Sequence, residues 1–304
     1  MTAVFVDANE SLAQVFERLT RIGDPPLRIR RDPDVAPEAL PQVLGDASIA
    51  IIDHTSLPTE IARRCPSLRH VVFLGTGARS YMNPEELAVL GIQVHIIKGY
   101  GDTAVAEAAI ALMWAAARNI ALMDREMRGG AWLREDGMQL TGKTLGLIGF
   151  GGIAAEVARI AAGGGMKVLA WNRTPKAAPN VTFVGLDHLL AASDVVSLHL
   201  LLTDETRGFL SRERLAHVKR GAILINTARG ALVDEAAMIE ALKSGHLRHA
   251  GLDVFEVEPL PADHPLTKLP NVTLSAHSAF RTPEASDNLV GAALQHCRRI
   301  AGGP

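Results

Sequence analysis

The chain has 304 residues, enough for two domains of ordinary size with well-buried cores. Hydrophobic residues make up 48%, and 31 basic against 33 acidic side chains leave a formal net charge of −2, a balance that argues against a nucleic-acid or membrane surface. Two cysteines, Cys65 and Cys297, are too few for a disulfide framework or a cysteine-rich metal site, so a reducing cytoplasm is the expected location.

The N-terminal stretch MTAVFVDANESLAQVF lacks the basic start and long apolar run of a signal peptide. From there, strand-like apolar runs alternate with helical stretches. AVFVD precedes a helix from about Ser11, and ASIAIID precedes another near residues 58–65. LRHVVFLG leads to NPEELAVLG, and then comes IQVHII. This alternation predicts a parallel sheet. One long helix is expected from Val105 to Arg128. Glu107 and Arg118 lie within that apolar segment and favour a buried helix over a membrane span. The Gly-rich patch RGGAWLREDGMQLTG interrupts the pattern. A second series follows: LGLIGFGG, GMKVLAW, ASDVVSLHL, GAILINTA, HAGLDVF and NVTLSAH. The residues after about Ser275 read as helical. The expected architecture is α/β, with two doubly wound parallel-sheet domains: residues 1–98 with 275–304, and residues 99–274.

The second series opens on a glycine turn, Gly149-Phe150-Gly151-Gly152-Ile153-Ala154, between a strand and a helix. The first glycine suits a tight turn, the second lets the backbone approach a pyrophosphate, and small Ala154 lets helix and strand pack closely. A helix N-terminus presents free N–H groups and a partial positive charge to phosphates. A following strand ends at Asn172, about 20 residues on, the position that reads the adenosine ribose in dinucleotide-binding folds. A dinucleotide site is therefore expected, with Gly149, Gly151, Gly152 and Ile153 at the phosphates and Asn172, Arg173 and Thr174 at the ribose. A carboxylate at the strand end would repel the extra phosphate of NADP, and neutral Asn172 removes that repulsion. Arg173 can fork onto a phosphate and Thr174 can donate a further hydrogen bond, so NADP is expected to be preferred over NAD. The alternative is an Arg173 that points into solvent and an Asn172 that accepts NADH.

Further stretches carry the remaining chemistry. NTARGALVD puts Arg229 just after a strand, GLDVFEVEPL holds Asp253 and Glu258, and NVTLSAHSAF holds His277 at a strand end. FLGTGARSYMN offers the backbone of Thr76 and Gly77 in a glycine loop. Together with TAVAEAAIALMWAAARNI and LTGKTLGLIGFGGIA, these segments resemble, in order and spacing, the D-isomer-specific 2-hydroxyacid dehydrogenases over nearly the whole chain. The resemblance implies a Rossmann nucleotide-binding domain inserted in a flavodoxin-like catalytic domain built from both chain ends. It implies a catalytic set of Arg229 on the substrate carboxylate, His277 as acid/base and Glu258 paired with it. Asp253 would lie beside the nicotinamide carboxamide, Thr103 and Thr227 would contact the cofactor, and Thr76 and Gly77 would form a second carboxylate grip. Trp132 matches an arm that in relatives contacts the partner subunit of a homodimer.

The physical logic is consistent with those roles. Reducing a 2-keto acid needs a hydride donor, a cation for the carboxylate and a proton donor at the carbonyl oxygen. Arginine's planar fork suits a carboxylate, and histidine exchanges protons near neutral pH. A neighbouring carboxylate favours the charged imidazolium. Each residue also admits a plain structural role: Arg229 as a helix cap, Glu258 as a solvated turn residue, His277 as a satisfied buried histidine, Asp253 as a turn-stabilising carboxylate, Trp132 as local packing. His199, in VVSLHLLL, represents the structural histidines.

The chain departs from the family pattern in places. Arg79 stands where relatives usually carry aspartate, and it either favours a second acidic group on the substrate or points to solvent. Ala108 replaces a histidine common after the glutamate. Gly152 lacks a side chain that many relatives place over the pyrophosphate, and Leu201 replaces the proline of a common HLP. The chain stops at Pro304, which leaves no room for the regulatory domain of some phosphoglycerate dehydrogenases. The expected function is reversible hydride transfer between NAD(P)H and a small 2-keto acid, with glyoxylate and hydroxypyruvate first among substrates. Alternatives are a nicotinamide-sensing, corepressor-like binding protein with poor turnover, or a formate or phosphite dehydrogenase, against which Glu258 speaks.

Overall fold

The computed structural model describes residues 1–174 and 176–302. Its elements run in chain order as β1 (Ala3–Phe5), α1 (Glu10–Leu19), β2 (Leu27–Ile29), α2 (Leu40–Leu44), β3 (Ile49–Ile52), α3 (Thr59–Ala62), β4 (His70–Phe73), α4 (Pro84–Val89) and β5 (Gln93–Ile96). Then follow α5 (Asp102–Ala117), α6 (Ile120–Arg128), β6 (Thr144–Ile148), α7 (Gly152–Gly163), β7 (Lys167–Trp171), β8 (Val181–Phe183), α8 (Leu186–Ala192) and β9 (Val195–Leu198). The last are α9 (Arg212–His217), β10 (Ala222–Asn226), α10 (Glu235–Lys243), β11 (Leu247–Leu252), β12 (Val272–Leu274) and α11 (Pro283–Ile300). The chain divides into two units, residues 1–101 with 281–304 and residues 102–280. His277 thus falls in the second unit.

The first unit holds a parallel five-stranded sheet in the order β2-β1-β3-β4-β5. Strands such as β3, IAII, are buried along their whole length, as a sheet covered on both faces requires. One face packs on α2, α3 and α4 through Leu40, Leu44, Ile61 and Leu87. The other packs on α1 and α11, where Phe16 meets Leu289, Val290, Ala293 and Leu294. The C-terminal helix therefore belongs to the N-terminal sheet. Its seat is reinforced by a forked pair, Arg298 Nε and Nη2 to the Asp24 carboxylate at 2.5 and 3.0 Å. That guanidinium holds the Asp24 carboxyl below the ordinary range.

The second unit holds a parallel seven-stranded sheet in the order β12-β11-β10-β9-β6-β7-β8. Chain direction across the sheet reverses at β6, which lies between β7 and β9. Ligands of open α/β sheets bind outside the strand C-termini at such a switch point. Helix α5 is largely apolar because most of its surface is enclosed, packing on α7, β10 and β11, with Thr103, Glu107 and Ala111 left on an exposed stripe. The long helix expected from Val105 to Arg128 is instead two, α5 and α6, bent by 67°. Asn119 at the break takes φ 53°, a left-handed conformation that asparagine tolerates better than most residues. Its Nδ2 donates to the Asp136 carbonyl, and Met138 N–H donates to the Ala117 carbonyl, so the returning segment closes the end of α5. Among the described residues, no single helix is long and apolar enough to cross a membrane.

Candidate active site

The glycine turn sits at the switch point. Gly149 has φ +88°, and a Cβ there would lie 2.6 Å from the His199 carbonyl oxygen that follows β9, so no larger residue fits the turn. Gly151 caps α7 without a side-chain hydrogen bond, and the space around its Cβ position is open. Buried Thr227, just after β10, has a side-chain hydroxyl with no hydrogen-bond partner among the described residues. An uncapped helix start, an open glycine face and an orphaned hydroxyl fit the phosphates and hydroxyls of a dinucleotide. Thr103, expected among the cofactor contacts, is exposed in the first turn of α5, and Ile153 is half-buried in the first turn of α7.

At the end of β7 the arrangement differs from the one expected. Asn172 does not present its amide outward. Its Oδ1 accepts the Phe150 N–H at 3.0 Å and its Nδ2 donates to the Thr174 carbonyl at 2.8 Å. The strand end lies beside the glycine turn, and the turn's N–H claims the nearest acceptor. Arg173 is exposed and pairs with Glu205 at 3.0 Å rather than standing alone. Sequence reasoning missed two residues here. Glu205 lies in the loop after β9, with no local signal linking it to Arg173. Lys176 donates from Nζ to the Phe150 carbonyl at 2.5 Å and brings a second cation to the turn; its place just after WNRTP was the available signal.

Arg229, Asp253 and His277 follow β10, β11 and β12, three neighbouring strands, and Glu258 lies in the loop beyond Asp253. The turn bearing Arg229 is pinned by Asn226, the last residue of β10. Buried Asn226 accepts the Ala228 N–H at 3.0 Å and donates to the Arg229 carbonyl at 2.9 Å. Arg229 itself is exposed; its guanidinium donates to the Ala228 carbonyl at 2.6 Å and, among the described residues, pairs with no carboxylate. The next residue, Gly230, touches backbone directly. A Cβ there would lie 2.0 Å from the Phe255 carbonyl carbon and 2.4 Å from the Glu256 nitrogen. The Arg229 turn and the Glu258 loop are thus packed main chain to main chain. Asn226 and Gly230 were not singled out from sequence. A polar residue closing the apolar strand AILIN was the only hint of the first.

His277 Nδ1 lies 2.7 Å from Glu258 Oε2, and Glu258 Oε1 accepts the Phe255 N–H at 2.9 Å. The imidazole remains about two-fifths exposed, so Nε2 is the nitrogen left for chemistry. His277 has φ 46°, unusual for a histidine and costing on the order of 1–3 kcal/mol. Asp253 holds that conformation in place. Its carbonyl takes the His277 N–H at 2.8 Å. Its carboxylate takes Ser275 Oγ at 2.6 Å and the N–H groups of Ser278 and Ala279 at 3.0 Å each. Asp253 is 1% exposed, and its side chain braces the histidine loop. His199 is structural: its Nε2 meets Ser197 Oγ at 2.9 Å, and burial pushes it down to about 4 and keeps it neutral.

In the first unit, Thr76 is exposed and Gly77 opens a short turn after β4, with free space at its Cβ position. Arg79 is exposed, and both guanidinium ends bond Glu85 of α4. Trp132, in the irregular segment after α6, is 75% exposed.

Comparison with known proteins bears on this arrangement. The family described as D-isomer specific 2-hydroxyacid dehydrogenase, NAD binding domain, matches residues 110–279. The chain is 38% identical to a glyoxylate reductase of Korarchaeum cryptofilum over 254 residues, 80% of this chain and 76% of that one. It is 38% identical to a hydroxypyruvate reductase of Thermotoga maritima over 255 residues, 82% and 83% of the two chains. Among solved structures, an acyclic imino acid reductase in complex with NADPH and D-Arg superposes with a TM-score of 0.85 at 28% identity, covering 100% of this chain and 98% of that one.

Proposed function

The chain belongs to the D-isomer-specific 2-hydroxyacid dehydrogenase family, and on that premise we propose that it reversibly reduces a small 2-keto acid with NAD(P)H, glyoxylate and hydroxypyruvate being the first substrates to try. The observation that carries this reading is the trio beyond the ends of β10, β11 and β12: an exposed arginine paired with no carboxylate among the described residues, a braced loop, and a histidine whose Nδ1 is held by Glu258. The nicotinamide cofactor, when bound, supplies the hydride. Arg229 grips the substrate carboxylate with its planar fork and polarises the adjacent carbonyl. His277 delivers a proton from Nε2 to the carbonyl oxygen, and hydride and proton together turn C=O into CH–OH. Glu258 orients the ring and balances its charge, and the imidazole regains its proton from water. In the oxidation direction Nε2 takes the hydroxyl proton.

The testing experiment follows NAD(P)H absorbance against a panel of 2-keto acids. Turnover of at least one small 2-keto acid supports the reading; cofactor binding without turnover of any would overturn it in favour of a sensing role. Arg229→Lys keeps the charge and loses the fork. It should lower kcat/KM on the best acid by about 10–100-fold, the worth of one charge-assisted hydrogen bond. Near wild-type kcat/KM in that variant would remove Arg229 from the mechanism.

NADPH is the proposed preferred cofactor. Support comes from a strand end without a carboxylate and from two cations, Arg173 and Lys176, at the turn that follows it. Glu205 works against the preference, because it holds Arg173 and would repel a phosphate. Arg173→Ala should lower the NADPH-to-NADH ratio of kcat/KM by about tenfold. Glu205→Gln should raise it by up to about fivefold, the limit for an exposed pair. If both ratios stay at the wild-type value, the assignment to Arg173 fails. We further propose a cytoplasmic homodimer, a reading supported by two buried unpaired cysteines and exposed Trp132.

A further inference from the structure

The first turn of α7 has no side-chain cap, yet a carboxylate stands against it. Asp102, the first residue of α5, places Oδ2 1.7 Å from where a Cβ on Gly152 would be, with Cγ at 2.8 Å. The absence of a side chain at 152 is what admits it. The contact follows from the packing of α5 on α7. Burial, reinforced by Glu156 one turn along α7, pushes the Asp102 carboxyl above its ordinary range. Glu156 is itself held by Arg159 at 3.0 and 2.9 Å. Among the other elements packed on α5, β10 and β12 carry no charged residue. On β11, Arg248 donates to the Asp136 carbonyl, and burial pushes His249 down to about 4, leaving it neutral. On α6, Asp124 pairs with Arg128 and Glu126 with Arg125. Glu107 lies further along α5 itself. No cation among these groups neutralises Asp102.

A dinucleotide pyrophosphate carries two negative charges and is drawn to this kind of helix start. Here it meets a like charge instead of N–H groups alone. We propose that the chain takes up a proton on Asp102 when it binds its dinucleotide, so that cofactor affinity is coupled to pH. The neutral acid then donates O–H to a phosphate oxygen where the carboxylate would repel it. This rests on the dinucleotide reading given above. The sign follows from linkage. Binding favours the protonated acid, so affinity is full at low pH. It weakens by up to about tenfold per pH unit as pH rises from the free group's titration range to the bound group's, and levels off above that.

Calorimetric titration of the full chain with NADPH, in two buffers of different ionisation enthalpy, reads the protons taken up. The wild type should take up a fraction of a proton that Asp102→Asn and Asp102→Ala both lose. Over the same pH range the dissociation constant should climb in the wild type and stay flatter in both variants. Protons taken by the cofactor's own 2′-phosphate are common to all three proteins and cancel in the difference. Tight binding with equal uptake in all three overturns the coupling alone, whereas failure of the wild type to bind NADPH or NADH overturns the dinucleotide reading together with it.

Discussion

Replacing His277 with alanine is expected to slow keto-acid reduction by roughly 10²–10⁴-fold in kcat, the usual worth of a positioned general acid. The expectation follows from how little else is available. His277 Nε2 is the free nitrogen of a ring whose other nitrogen is held by Glu258 at 2.7 Å. Its backbone is fixed by Asp253 through the His277, Ser278 and Ala279 N–H groups. These bonds survive truncation of the imidazole, so the loop should keep its shape and cofactor affinity should change little. Stopped-flow single-turnover rates with NADPH, together with a cofactor dissociation constant, separate the two quantities. A variant that turns over within threefold of wild type, or one that loses cofactor binding as well, would show that the ring is not the proton donor.

Gly230→Ala is expected to be nearly as damaging, although residue 230 touches no substrate. Its added methyl would meet the Phe255 carbonyl carbon at 2.0 Å and oxygen at 2.2 Å. Backbone atoms have no rotamer to retreat into, so either the Arg229 turn or the Glu258 loop must move. Overpacking of this kind costs about 1–3 kcal/mol of stability. A displacement near 1 Å between reacting groups costs on the order of 10²-fold in rate. The variant should therefore fold with a lowered Tm and lose about 10²-fold in kcat/KM. Gly291→Ala, within α11 where the added methyl meets open space, is the control and should not lower Tm. Wild-type kinetics in Gly230→Ala would mean that the two loops are not geometrically coupled.

What could be read from the residues alone, and what could not, divides along physical lines. The apolar runs that became β3, β4, β6, β9 and β10 announced themselves because strands covered on both faces must be apolar throughout. Arg229 and His277 stood out because each follows a strand end, and Glu258 because it falls in the family-like stretch GLDVFEVEPL. The edge strands β2 and β8 were not anticipated, because LRI and VTF are only partly buried and so lack the continuous apolar run of a central strand. The break at Asn119 escaped notice because the apolar pattern continues across it. Pairings distant in sequence were invisible for a different reason. Arg173 with Glu205, Gly230 with Phe255 and Asp102 with Gly152 exist only once helices and strands are laid side by side. The family resemblance carried the catalytic roles, but the hydrogen bonds by which Asp253 and Asn172 hold their own loops were not legible in the sequence.

The order β12-β11-β10 has a consequence for how such a protein changes over time. The three groups proposed for chemistry lie on the segments that leave adjacent parallel strands, whose separation of roughly 5 Å is set by peptide hydrogen bonding and is the same for any sequence. The ladder acts as a ruler for where those segments begin, and changes to exposed side chains cannot stretch it. Substitutions elsewhere in the loops can reshape the mouth that admits one acid rather than another while the strand ends that carry cation and proton donor stay in register and the Gly230 contact is kept. Divergence in substrate and constancy in reaction are thereby assigned to different atoms, the first to side chains on loops and the second to the backbone of the sheet.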